Sequence, residues 1–227
     1  MKKISFLMVC VLALTSCRLD LGNLSKMGGN KIEPSDNIVT KTYKLNAFED
    51  VNMSCVGHVD IVQDVKKSGT IELTAPDNYI EYYKFESADS ALRIRYSKNN
   101  LNLNSQKVKI KVYTADLVKV TNSGASGIHI DNLDTDRLEA VVSGVGEIVI
   151  SGVADKVTLR NSGVGSIDAE KFKAQKVKAS VSGVGSIKCY ASEEIEGSVS
   201  GVGSLEYAGH PKKKDTHRSG VGSISEL

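Results

Sequence analysis

Short segments in which apolar and polar residues alternate dominate the first half of the chain. The alternation is clearest at residues 92–96 and 108–113, where Arg-Ile-Arg and Lys-Ile-Lys-Val direct every second side chain to one face. A period of two is typical of a β-strand with one face in a core and the other in water. Shorter examples lie at residues 42–45, 51–53, 59–62 and 71–74. Residues 41–121 are therefore predicted to form an irregular β region, with a helical turn at 79–85 as the less favoured alternative.

A repeat dominates the second half of the chain. The motif Ser-Gly-Xaa-Gly-Xaa-Ile/Leu begins at Ser143, Ser162, Ser182, Ser200 and Ser219, after a degenerate copy at residues 123–128. A unit of about nineteen residues with three or four apolar side chains cannot bury a core alone, so neighbouring units must stack. The repeat predicts an all-β fold in which residues 122–227 form a parallel β-helix (β-solenoid). Each repeat supplies one coil, and parallel crossovers favour right-handed winding.

The repeat also predicts which side chains point inward and where the chain turns. Besides the Ile/Leu that ends each motif, the apolar residue five positions before each serine is expected to point inward: Val118, Leu138, Val157, Val177 and Ile195. The last repeat breaks this pattern with Lys214. A further inward set comprises Ile130, Ile150, Ala169, Cys189 and Tyr207. The glycine pairs are predicted to form corners, because glycine permits positive φ and close backbone approach. They are Gly144, Gly146, Gly163, Gly165, Gly183, Gly185, Gly201, Gly203, Gly220 and Gly222.

The N-terminal residues resemble a bacterial lipoprotein signal peptide. Lys2 and Lys3 precede an apolar run at residues 4–14, which is too short for a permanent membrane span, and a small-residue segment ends at Cys17. The resemblance implies removal of residues 1–16, lipidation of Cys17 and a membrane contact through the lipid. Arg18 follows the cysteine instead of Asp, which implies the outer membrane and leaves its leaflet open. Residues 17–40 read as a flexible tether.

Composition excludes several classes of function. The chain is 41% hydrophobic and 25% charged, which is too apolar for disorder. Its formal charge of +2 leaves no basic field for nucleic acid. No cofactor and no metal site is predicted, because the chain lacks CxxC, HExxH and a complete GxGxxG, and because its four histidines lack ligand spacing. These are His58, His129, His210 and His217.

Two cysteines and one serine carry further expectations. After removal of the signal, Cys55 and Cys189 remain at alternating strand positions, and buried thiols are favoured over a disulfide between them. Asp89-Ser90-Ala91 resembles a short O-glycosylation sequon of some Gram-negative anaerobes, which makes Ser90 a candidate modification site.

The chain resembles the family called putative auto-transporter adhesin, head GIN domain. The resemblance covers residues 41–227 and rests on residues 48–51, residues 57–63 and the later Ser-Gly-Val-Gly-Ser-Ile series. It implies a right-handed β-helix and, by name, adhesion. It supplies no catalytic residues.

Three classes of function follow. The leading hypothesis is a non-enzymatic, lipid-anchored cell-envelope module that binds a glycan or a protein. The alternatives are a self-assembling structural component and a polysaccharide-active enzyme, although the acidic candidates for the enzyme are dispersed among lysines. These are Asp131, Asp134, Asp136, Glu139, Glu147, Asp155, Asp168 and Glu170. A monomer is expected, because residues 212–214 and Arg218 place positive charge on the open final coil.

Overall fold

The computed structural model describes residues 30–227, so the predicted signal peptide, Cys17 and the first part of the tether lie outside the described residues. Strands make up 71% of the structure. They are β1 (Asn30–Lys31), β2 (Ile38–Lys44), β3 (Asp50–Met53), β4 (Val56–Gln63), β5 (Thr70–Pro76), β6 (Tyr83–Ala88), β7 (Ala91–Tyr96), β8 (Leu101–Asn102), β9 (Lys109–Thr114), β10 (Lys119–Asn122), β11 (Ala125–Val142), β12 (Val145–Asn161), β13 (Val164–Val181), β14 (Val184–Val199), β15 (Val202–Ala208), β16 (Lys213–Arg218) and β17 (Val221–Glu226). Short 3₁₀ helices occupy Val65–Lys67, Asp77–Tyr82 and Ser105–Lys107. No helix among the described residues is long and apolar enough to cross a membrane.

The repeats stack as parallel coils, so the predicted fold class is confirmed: a β-solenoid of about five turns occupies the C-terminal half. Strand β11 pairs with β12, β12 with β13 and β13 with β14, all in parallel. The motif residues are in register from coil to coil, as shown by Val145 opposite Val164 and Val164 opposite Val184. The hand of the coils stays a prediction.

Inward side chains form ladders along the solenoid axis. The motif isoleucines make a continuous ladder from Val59 through Ile128, Ile148, Ile167 and Ile187 to Leu205, and all six are fully buried. The apolar residues five positions before each serine are buried with one exception, while Lys214 of the last repeat is exposed. Val118 is only partly buried, and its flanking residues Leu117 and Val120 are buried instead. The inward prediction is therefore wrong for Val118.

The motif glycines lie where consecutive coils come closest. Gly165 has φ +153°, and a Cβ there would lie 1.8 Å from the carbonyl oxygen of Gly146. A Cβ on Gly163 would lie 2.1 Å from the carbonyl oxygen of Gly144. Real side chains do not tolerate such separations from backbone atoms. The corner therefore needs glycine for close approach at both positions and for backbone conformation at the second.

The coils differ in length, and the additional residues are accommodated where the register between neighbouring strands shifts. The register of β12 with β13 shifts between Val149 and Gly152, and the register of β13 with β14 shifts after Ala169. At the shift, Phe172 of β13 lies opposite Gly152 of β12, and Phe172 is 1% exposed. A large side chain beside a glycine lets the two coils fill the interior despite their different lengths.

The coil stack begins earlier in the chain than predicted. Strands β3 and β4 pair in register with β10 and β11, so residues 50–63 form a coil of the same solenoid. The segment Ser54-Cys55-Val56-Gly57 takes the place of Ser-Gly-Val-Gly, and Gly57 has φ +152°. Strand β7 pairs with the other edge of β3, and β9 pairs with the other edge of β4. The predicted boundary at 121/122 therefore does not divide an irregular region from the solenoid.

The N-terminal part of the described chain is more ordered than predicted. Strand β2 pairs antiparallel with β5 from Ile38 onward, so the end of the predicted tether belongs to the sheet. The helical alternative at 79–85 is partly right, since a 3₁₀ helix spans Asp77–Tyr82 and is followed by strand β6. Antiparallel strands thus cover one end of the solenoid, while β17 lies at the other end of the sheet order.

Both cysteines of the described chain are free and buried, as expected. The Sγ atom of Cys55 lies 3.6 Å from the Sδ atom of Met53 inside the core. Burial raises the pKa of the Cys55 and Cys189 thiols to about 12. Both therefore stay protonated at neutral pH and act as small apolar core residues.

Candidate functional site

An exposed row of valines runs along the solenoid, and we call it the valine ridge. It comprises Val145, Val164, Val184, Val202 and Val221, which are in register on successive coils. Each is between 51% and 73% exposed. Neighbouring strands in a sheet lie about 4.8 Å apart, so the ridge presents an identical side chain at that interval.

The local sequence explains why the ridge points outward. The valine of each motif stands three positions before the motif Ile or Leu, which is buried in every coil but the last, as Val164 does before Ile167. An odd separation along a strand places two side chains on opposite faces. The glycines on either side are predicted to form corners, and the valine between them has no predicted role, although the sequence alone shows this odd separation.

Serine residues border the valine ridge on both sides in every coil but one. In the coil that contains Val164, Ser162 precedes the valine and is exposed, and Ser166 follows it and is partly buried. The other coils repeat this pair of serines, except that Glu147 replaces the second serine in one coil. The ridge is therefore an apolar line with hydroxyl groups on both sides.

Charged side chains of the neighbouring faces pair with each other across coils. Lys178 Nζ lies 2.5 Å from Glu196 Oε1, and Lys119 Nζ lies 2.9 Å from Glu139 Oε2. Lys188 and Glu206 are 3.6 Å apart. Exposed pairs of this kind contribute little stability, but they neutralise the faces beside the ridge.

The acidic candidates for an enzyme do not form one site. Asp134, Asp136 and Asp155 line a shallow cavity of about 360 Å³ together with Lys173 and Tyr190. Lys173 lies over the Tyr190 ring, 3.8 Å from its centroid. The remaining candidates lie elsewhere or have structural partners: Glu139 pairs with Lys119 and Arg160, Asp131 accepts a hydrogen bond from Ser151, Glu147 one from Ser166 and Asp168 one from the Glu170 backbone.

Basic residues near the C-terminus are bound by carboxylates of the chain itself. Lys213 pairs with Glu194, and Lys214 Nζ lies 2.6 Å from Glu226 Oε2. Lys214 and His210 together hold the pKa of Glu226 below its ordinary value. The Arg218 guanidinium donates to the carbonyl of Gly222. The charges of Lys213 and Lys214 are thus compensated locally, and the monomeric state stays a prediction.

Ser90 lies at the tip of a hairpin. It is the second residue of the two-residue turn between β6 and β7, and both Asp89 and Ser90 have positive φ. The side chain is exposed, while its carbonyl accepts hydrogen bonds from the backbone amides of Glu49 and Asp50. Glycosylation of this accessible hydroxyl stays a prediction.

Two histidines that are distant in sequence meet on the outer face of the first coils. His58 of β4 and His129 of β11 have ring centroids 4.7 Å apart, and His58 Nε2 lies 3.0 Å from Asp60 Oδ1. One potential ligand atom from each of the three residues lies within 4.8 Å of the others. Within residues 30–227, this is the group of at least three His, Cys, Asp or Glu side chains whose ligand atoms lie close enough together to hold a metal ion. Sequence spacing gave no sign of it, because 71 positions separate the histidines.

The fold and the ridge together define a class of protein: a β-solenoid that presents one repeated surface. The chain belongs to the family described as "putative auto-transporter adhesin, head GIN domain", whose model matches residues 47–211. This confirms the resemblance inferred from the sequence.

Solved structures share the fold. A "putative adhesin" from Bacteroides fragilis is 29% identical, covers 86% of this chain and all of its own, and has a TM-score of 0.71. A "putative lipid binding protein" from Parabacteroides distasonis is 19% identical, covers 87% of this chain and 99% of its own, and has a TM-score of 0.56. A "putative adhesin" from Parabacteroides merdae is 16% identical over 87% of this chain and 99% of its own, with a TM-score of 0.52. The two less identical structures support the fold alone. No curated protein matches the chain.

Proposed function

We propose that the protein is a non-enzymatic adhesin of the cell envelope, anchored in the outer membrane through lipid on Cys17, and that the valine ridge binds a protein on a cell surface. Family membership supports adhesion and a location at the envelope. The observation that carries the proposal is the half-exposed, in-register row of identical valines. Contiguous apolar surface with a polar border is typical of an interaction site.

The chemistry of the ridge favours a protein over a glycan. Valine methyl groups gain free energy by excluding water from another apolar surface, which a protein can offer. The ridge has no aromatic ring on which a sugar could stack. The serine hydroxyls on both sides can bind polar groups at the edge of the contact. A repeated row also favours an extended ligand, because each coil adds one equivalent contact.

We expect that replacing the five ridge valines by serine abolishes adhesion of beads coated with the purified protein. The beads are offered to washed cells of the producing bacterium and, in parallel, to epithelial monolayers. Removing five exposed apolar contacts is expected to weaken binding at least about a hundredfold, since each methyl-rich side chain contributes on the order of 1 kcal/mol when buried. Bound beads are counted by microscopy.

The matched control is the variant Val65→Ser/Val153→Ser, which removes exposed valines outside the ridge. It is expected to adhere like the wild type. Protease treatment of the target cells should abolish adhesion, and periodate treatment should leave it unchanged. Adhesion that survives the ridge variant, or that is lost only after periodate, contradicts the proposed binding surface or the proposed ligand class.

The anchor is tested separately. We expect metabolic labelling with a palmitate analogue to mark the wild type and not Cys17→Ala, because the cysteine at the end of the predicted lipoprotein signal carries the acyl chains. More than one chain is expected there, since a single chain alone binds membranes only marginally. Labelling is read by in-gel fluorescence, and Cys55→Ala is the control that keeps its label. Label that persists in Cys17→Ala contradicts the lipoprotein assignment.

Self-assembly is the second candidate, and one observation favours it. Among the described residues, strand β17 pairs only with β15 and ends the sheet order, so its outer edge has no partner strand there. Such an edge can add another strand. Sedimentation of the wild type as a concentration-dependent oligomer that dissociates when residues 219–227 are removed would favour assembly over adhesion.

A further inference from the structure

We propose that His58, Asp60 and His129 form a binding site for a divalent transition-metal ion, of which Zn²⁺ is the representative. The three residues come from two neighbouring coils. Asp60 and His129 lie directly opposite each other in the pairing of β4 with β11, and His58 stands two positions before Asp60 on the same outward face. One donor atom of each lies within 4.8 Å of the other two, which is close enough for small side-chain rotations to bring all three onto one ion.

A break in the repeat creates the space for this cluster. In the later coils the residue after Gly-Val-Gly is mostly serine, but the first two coils have His58 and Gly127 in register at this position. Gly127 has no side chain, and the His58 Nδ1 atom would lie 3.6 Å from a Cβ built there. The His58 ring therefore lies over Gly127 and reaches the His129 ring. A serine or valine at 127 would occupy the side of the ring that faces the next coil.

The cluster contains a polar atom with no partner. Nδ1 of His129 is shielded from solvent and makes no hydrogen bond in the structure. A buried ring nitrogen without a partner is unfavourable, whereas a metal ion at that nitrogen would satisfy it. His58 is already oriented by its 3.0 Å contact with Asp60. Little rearrangement is needed to bring the ligands together.

The donor set decides the class of metal. Two imidazoles and one carboxylate suit Zn²⁺, Cu²⁺ or Ni²⁺, while Ca²⁺ and Mg²⁺ prefer oxygen ligands alone. Three protein ligands leave further coordination positions open to water or to a ligand group. The His58 and Asp60 side chains are 39% and 44% exposed, so an ion can enter from solvent.

The charged neighbours set the strength of the site. Lys109 and Lys111 of β9 lie opposite His58 and Asp60 on the far side of β4. Glu147 lies opposite Gly127 on the next coil. The lysines oppose a cation and the glutamate favours it, so a moderate affinity follows. The site lies on the same outer side as the valine ridge, beside its first coils.

Isothermal titration of the purified protein with ZnCl₂ tests the proposal. The protein is prepared without a polyhistidine tag, and every sample carries Cys17→Ser so that no thiol at that position competes for zinc. We expect one Zn²⁺ per chain and a higher Tm in its presence, because an ion that binds only the folded state stabilises it. His58→Gln and His129→Gln should each weaken binding at least about tenfold. CaCl₂ and MgCl₂ should give no saturable heat.

The matched control is His210→Gln. His210 Nδ1 lies 3.0 Å from Glu226 Oε1, so this pair repeats the His–carboxylate contact without a second histidine nearby. Zinc binding should be unchanged in this variant, and circular dichroism checks that all variants are folded. A wild type that takes up no Zn²⁺, or binding that persists in His58→Gln and His129→Gln, overturns the proposal. Bead adhesion in the presence of EDTA tests the two proposals separately: zinc binding should be lost, and adhesion through the valine ridge should persist.

Discussion

Replacing Gly163 and Gly165 together by alanine is expected to lower the free energy of unfolding by about 3 kcal/mol or more. A Cβ at either position would lie 2.1 or 1.8 Å from a carbonyl oxygen of the preceding coil, well inside the 3.0 Å below which real Cβ atoms essentially never approach another atom. Gly165 has in addition φ +153°, a conformation that residues with a side chain rarely adopt. The coils must separate locally, which breaks parallel pairing on both sides. Urea denaturation followed by circular dichroism measures the loss.

Gly127→Ala is the matched control for this variant. Its Cβ would meet only the His58 ring, at an ordinary contact distance of 3.6 Å. It should change the free energy of unfolding by less than about 1 kcal/mol, because alanine also lowers the entropy of the unfolded chain. An unfolding midpoint of the double variant equal to that of wild type would show that the corner glycines serve another purpose than close packing.

Phe172→Ala is expected to destabilise the protein by about 4 kcal/mol, the middle of the range for a fully buried aromatic residue. Phe172 is 1% exposed and lies opposite Gly152 where the register of two coils shifts. Gly152 has no side chain that could fill the cavity, and a Cβ there would lie 2.0 Å from the carbonyl oxygen of Leu133. The backbone around the cavity is therefore held by its neighbours and collapses little.

The neighbouring variant Lys171→Ala removes an exposed side chain from the same strand and should be nearly neutral. Both variants are compared with wild type by urea denaturation. A loss below about 1 kcal/mol for Phe172→Ala would mean that the coils can close the gap and that the register shift is not fixed by packing.

The repeat made much of the fold predictable because its information is local. Alternating residues define strand faces, and a recurring Gly-Xaa-Gly defines corners, whatever lies elsewhere in the chain. Stacking of such units leaves one arrangement in which the ladder of Ile148, Ile167 and Ile187 is buried. The outward position of the valine ridge was predictable in the same way, because each valine stands an odd number of residues before the buried residue of this ladder.

The fold of the irregular first half was not predictable in this way, because its strands pair with strands that are distant in sequence. Residues 64–118 separate the coil at 50–63 from the one that stacks on it, so nothing local marks Ser54-Cys55-Val56-Gly57 as a corner. Similarly, β2 begins at Ile38 because β5 offers it an edge, which the composition of the segment does not reveal. Val118 fails as an inward residue where the chain enters the regular stack.

By itself, the sequence determined the β-solenoid, the repeat length, the family and the two buried thiols, because period and composition act through neighbouring residues. Only the tertiary structure decided where the stack begins and which outer side chains meet. His58 and His129 are close because β4 and β11 pair in one register. A shift of one residue in that register would turn His129 to the other face of its strand, and so the register, not the residue types alone, creates the cluster.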